Sequence, residues 1–141
     1  MMYRNAEGYA DPTAGLALER ISREERRKQY RPLVYICSRY AGDIESNTLA
    51  ARHYCRFAVD SGYIPVASHL LYPQFLDDEN PVERKLGLFF GNILMDKCDE
   101  IWIFGSELSP GMKAEYERAV RKGYRIRHFS ADCKEVDADA D

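Results

Sequence analysis

Several things are scarce in this 141-residue chain, and each absence narrows what it can be. No apolar run approaches the roughly 18 residues that a membrane helix needs, and the stretch 3–11 is polar where a secretory leader would be apolar. Charge of one sign is not in excess: 20 basic against 23 acidic residues leave a net charge of −3, with no bulk attraction for nucleic acid or an anionic surface. The four cysteines, Cys37, Cys55, Cys98 and Cys133, form no C-x-x-C, and His53, His69 and His128 form no H-x-x-x-H, so neither a metal nor another cofactor is expected. Small buried thiols are the ordinary reading of cysteines set in apolar patterns. Walker and G-x-G-x-x-G sequences are also missing. What is left is a chain of ordinary globular composition, for which the cytoplasm is the expected compartment.

Apolar runs alternate with helical patterns. Residues 1–31 read as an N-terminal helical arm: Asp11-Pro12 can start a helix over 13–28, dense in both charge signs from Arg20 to Arg31. The body, 32–130, reads as strand 33–37, helix 44–61 capped by Asp43 and stopped by Gly62, strand 63–67, loop 68–80, helix 81–97 started by Asn80-Pro81 with Glu83, strand 101–104, helix 110–122 and edge strand 124–129. Residues 131–141 read as an acidic flexible tail. The expected fold is therefore α/β: a flavodoxin- or Rossmann-like three-layer sandwich on a parallel sheet of four to five strands, plus the N-terminal helix. If the strand order is 2-1-3-4, the winding reverses between the first and third strands, and ligands bind such sheets at the strand ends beside that reversal.

The loops meeting there are 38–43 and 105–111. The first offers the Ser38 hydroxyl, the Arg39 guanidinium, Tyr40 as a stacking surface, close backbone approach at Gly42, and Asp43 ahead of a helix N-terminus. The second leads through Ser109-Pro110-Gly111, an N-cap with proline at the first helical position, into a helix bearing Glu115. At helical spacing Glu115 lies on or beside the stripe Met112, Tyr116, Ala119, Val120 that should face the sheet. A carboxylate there is costly to bury without a partner.

Taken in order, Val34-Tyr35-Ile36-Cys37-Ser38-x-Tyr40-Ala41-Gly42-Asp43, Gly62-Tyr63-Ile64-Pro65, His69-Leu70-Leu71-Tyr72-Pro73-Gln74-Phe75, Cys98 to Gly105, and Ser109-x-Gly111-Met112-x-x-Glu115 carry a resemblance. Over 32–129 the chain resembles the nucleoside 2-deoxyribosyltransferase-like superfamily, most closely its small bacterial and phage members classed as a domain of unknown function. The resemblance implies a flavodoxin-like domain that cleaves or transfers the N-glycosidic bond of a nucleoside or nucleotide. Glu115 stands at the position of the catalytic nucleophile, and Ser38, Arg39, Tyr40, Gly42, Asp43, His69, Ser109, Gly111 and Met112 are the implied substrate contacts. It also favours a homodimer. Characterised members place an aspartate where this chain has Gly91; Asp77 or Asp78 in the loop, or a neighbouring subunit, could substitute. The alternative is a non-catalytic nucleotide-binding module of the same fold. A third possibility, docking of a partner through the arm, is opposed by Glu19, Glu24 and Glu25 among its basic residues, and no nucleic acid is expected as a partner. The loop 68–80 is expected to be a lid or an intersubunit contact, because its length exceeds what the connection needs and it carries Leu70, Leu71, Tyr72 and Phe75.

Overall fold

Alternation along the first strand divides the molecule into layers. In the computed structural model, which describes residues 30–137, β1 (Leu33–Cys37) sends Val34 and Ile36 to one face of the sheet and Tyr35 and Cys37 to the other. The next elements are α1 (Ile44–Asp60), β2 (Ile64–Val66) and a one-turn helix α2 (Ser68–Leu71) running into a 3-10 turn at Tyr72–Gln74. They are followed by α3 (Pro81–Asp96), β3 (Glu100–Phe104), α4 (Pro110–Arg121), β4 (Ile126–Phe129) and β5 (Glu135–Val136). The sheet order is β2-β1-β3-β4-β5. Its first four strands are parallel, and β5 joins β4 antiparallel.

On one face α1 packs Tyr54 and Ala58 against Val34, Ile36, Trp102, Phe104 and Phe129. On the other, Met95 of α3 and Met112 and Ala119 of α4 meet Tyr35, Cys37, Ile101 and Ile103. This is the α/β sandwich expected from the sequence, with the reversal of winding between β1 and β3. The caps hold as well. Asp43 accepts from the Ser46 N–H, Asn80 from Val82 and Glu83, and Ser109 from Met112.

Three expectations change, and one lies out of view. The tail is not flexible from 131: a turn through Cys133 at φ 61° brings β5 back onto β4, where Glu135 takes both the Nε–H and an Nη–H of Arg127 at 2.8 Å. The acidic composition that suggested disorder supplies the partner of a basic strand. For the same reason β4 is not an edge strand. Half of the loop 68–80 is folded, as α2 and the 3-10 turn, and this segment lies against α3 at Gly87 and Gly91, where a Cβ on Gly87 would stand 3.6 Å from the Leu76 side chain. The N-terminal helix of 13–28 lies outside the described residues.

α3 and α4 are tied together at Asp96, which accepts a bidentate pair from Arg118 at 2.6 and 2.9 Å, Lys122 at 3.2 Å and the Tyr124 hydroxyl at 2.5 Å. These donors, Arg118 first, hold the Asp96 carboxyl far below the usual carboxylate range. A depressed pKa contributes stability that is complete above the unfolded value near 3.9 and is lost as pH falls through the folded one. Asp96→Asn is therefore expected to lower stability at pH 7 by about 1–2 kcal/mol, water screening of a partly exposed pair keeping the figure modest. The gap to the parent should begin to narrow only as pH falls below about 4 and go on shrinking at still lower pH, as read by thermal melts across pH.

Candidate functional site

β1 ends in Cys37, and the loop beyond it does not keep the strand's alternation, because Ser38 and Tyr40 line the same cavity as Tyr35. Ser38 and Tyr40 face a cavity of about 250 Å³ roofed by α2, α3 and the start of α4. Arg39 instead lines an adjoining cavity of about 140 Å³ with Asn47, Tyr54, Gly105 and Glu107, which shares Ser38 and Met112 with the larger one. Of the sequence-derived candidates, Ser38, Tyr40, His69, Ser109, Gly111, Met112 and Glu115 all line the larger cavity. Arg39, Gly42 and Asp43 do not. Gly42, at φ 100°, makes the bend ahead of α1, and Asp43 is occupied as its cap.

Glu115 sits in the second turn of α4, between the fully buried Met112 and Ala119. The residue as a whole is only partly buried, yet its Oε2 is closed off, with less than 1 Å² accessible and no hydrogen-bond partner. Its exposed part therefore lies elsewhere on the residue. Burial pushes the Glu115 carboxyl up to about 7, and hydrogen bonding from the Tyr35 hydroxyl opposes the rise only in part. Tyr35 shares a hydrogen bond of 2.9 Å with the Ser68 hydroxyl. Gly91 backs this pair: a Cβ there would stand 3.4 Å from the Tyr35 oxygen and 3.5 Å from Ser68. The hydroxyls of β1 and α2 thus lie against the position where the resemblance leads one to look for an aspartate.

A second corner is built from three segments. The Tyr40 and His69 rings stack at 4.8 Å and 23°. Asp78, from the loop before α3, lies near enough to raise the pKa of both and is itself part of the cavity wall. Burial nevertheless dominates at His69 and lowers it, against the opposing pull of Asp78 and of a hydrogen bond from the ring to the Ser38 carbonyl. The imidazole is thus neutral near pH 7. Of the loop's apolar groups, Tyr72 and Leu76 enter the cavity wall, while Leu71 and Phe75 stay 45 % and 63 % exposed.

Residues the sequence reading did not single out for the site are Tyr35, Ser68, Arg84, Gly87 and Asn92. Two signals could have found some of them. Tyr35 puts a hydroxyl in the middle of an otherwise aliphatic central strand, and Gly87 with Gly91 puts two glycines four apart inside a helix, where each costs stability unless something approaches closely. Among the described residues no group of three or more His, Cys, Asp or Glu is arranged to hold a metal ion.

Residues 32–129 match the family described as Domain of unknown function (DUF7768). The chain belongs to this family. The DUF7768 span runs from the start of β1 to the end of β4, so it contains every wall of the larger cavity and excludes only β5 from the folded body. No curated protein matches the chain. Among the described residues no helix is long and apolar enough to cross a membrane.

Proposed function

We propose that the protein cleaves or transfers the N-glycosidic bond of a nucleoside, with Glu115 as nucleophile. The observation that carries the reading is the orphaned Oε2: a carboxylate oxygen shut away from water, unpaired, in the wall of a cavity beside the reversal of winding. Such an atom is costly unless it meets a developing positive charge. The C1′ carbon of an N-glycoside acquires that charge as its base departs. Glu115 attacks C1′, the C1′–N bond breaks with its electron pair leaving on the base, and a glycosyl ester forms on Glu115. Water or a second base then takes the sugar and restores the carboxylate. Tyr35, pinned by Ser68, keeps the carboxylate oriented. The resemblance to nucleoside 2-deoxyribosyltransferase-like proteins supports the same role.

Charge on the walls favours an uncharged substrate. Asp78, Glu83 and Glu115 stand against the single guanidinium of Arg84, and Arg39 lines the adjoining cavity. A 5′-phosphate would meet more like charge than unlike. Arg39→Ala is accordingly expected to leave nucleoside binding within about twofold of the parent, as surface substitutions usually do.

The test is release of free base from 2′-deoxynucleosides, combined with mass spectrometry of acid-quenched protein. The expected result is base release together with a deoxyribosyl adduct on the peptide bearing Glu115. Absence of both, with every base, would overturn the enzymatic reading. A second reading, a binding module without turnover, draws on Gly91: that position supplies no second carboxylate beside Tyr35 and Glu115 to assist at the sugar or the leaving base. It requires saturable nucleoside binding with no base release.

A further inference from the structure

We propose that the corner formed by Tyr40, His69 and Asp78 seats the nucleobase and selects bases that present an amino group. The proposal rests on the nucleoside reading above and names the substrate class within it. Stacked Tyr40 and His69 supply an aromatic surface at one end of the cavity. The polar groups beside it are acceptors. One ring N–H of His69 is engaged by the Ser38 carbonyl, and in the neutral ring the other nitrogen carries only a lone pair. Asp78, a carboxyl side chain from the loop in the same wall, adds acceptor oxygens. An exocyclic NH₂ satisfies such a corner, whereas a keto oxygen at the same place faces acceptors and leaves them desolvated and unpaired. Adenine and cytosine fit; hypoxanthine and uracil, which replace that amino group by a keto oxygen, do not.

The experiment measures dissociation constants of the full chain by calorimetry for two matched pairs, 2′-deoxyadenosine against 2′-deoxyinosine and 2′-deoxycytidine against 2′-deoxyuridine. The amino member of at least one pair should bind about tenfold tighter or better. Asp78→Asn, whose amide can donate to a keto oxygen, should erase or reverse that ratio. His69→Phe, which keeps a ring to stack on Tyr40 and removes the acceptor nitrogen, should reduce it. Asp78 is an exposed loop position, so the first variant does not depend on the core. Equal affinity within both pairs, or ratios untouched by both substitutions, would overturn the selectivity while leaving the nucleoside reading intact. Failure of all four nucleosides to bind would overturn both.

Discussion

Replacing Glu115 by Gln is expected to abolish base release, with a loss of at least about a thousandfold, while making the protein more stable above neutral pH. The amide keeps the shape of the side chain and cannot form the glycosyl ester. The stability effect follows from the buried, unpartnered Oε2. A carboxyl whose pKa rises on folding, here to about 7, contributes stability that is fully present below its unfolded value near 4.3 and is lost as pH climbs through 7. At pH 8 the parent therefore carries a buried charge that the variant lacks, a difference on the order of 2–3 kcal/mol. At pH 4 the two proteins should melt together. The same titration sets the activity profile: turnover by the parent should rise with pH through about 7 as the nucleophile ionises. Melting curves at pH 4 and 8 beside a base-release assay check both halves. Undiminished turnover by the variant would exclude Glu115 as nucleophile.

Arg127→Ala is expected to be the most destabilising single change outside the apolar core, by about 3 kcal/mol, or a drop in Tm of roughly 10 °C. Glu100 is 6 % exposed at the start of β3. Burial pushes its carboxyl up, and bonds from the Trp102 indole at 3.0 Å, the Tyr63 hydroxyl at 3.1 Å and Arg127 at 3.3 Å together outweigh burial and hold it below its usual value. Arg127 also lies over the rings of Trp102 and Phe129 and fastens β5 through Glu135. Its removal leaves a buried carboxylate with only the exposed and more distant Arg125, at 4.0 Å, as a cation, uncovers two aromatic faces and frees the last strand. Arg127→Met, which keeps the stem over the rings, should recover part of the loss. Urea unfolding of the two variants separates the charge from the packing.

Much of this architecture was written in local chemistry. Ser109-Pro110, Asn80-Pro81 and Asp43 specify helix starts by satisfying free N–H groups, and those starts lie where the sequence put them. Short apolar strands between helices force parallel crossovers, and the reversal beside Glu115 follows from them. Features that depend on a distant partner were not legible. β5 has two residues and no apolar pattern; it exists because Arg127 lies eight positions upstream to receive Glu135. The direction of Arg39 depends on where β1's alternation stops, which a sequence of turn-forming residues does not mark. Position 91 could be read only as a missing carboxylate, whereas in three dimensions it lies against the Tyr35–Ser68 hydroxyl pair.

The two margins of the sheet have a consequence for how copies of this protein can meet. One margin is β5, two residues long. The other is β2, three residues with Pro65 at its centre, opposite Val34 in the register. A proline has no N–H to offer an incoming strand, and two residues are too few to template one. Among the described residues both borders are thus poor templates for a strand from another molecule, which works against fibre-like stacking of the folded form. Contacts between copies through the folded body are thereby left mainly to side chains on helices and loops.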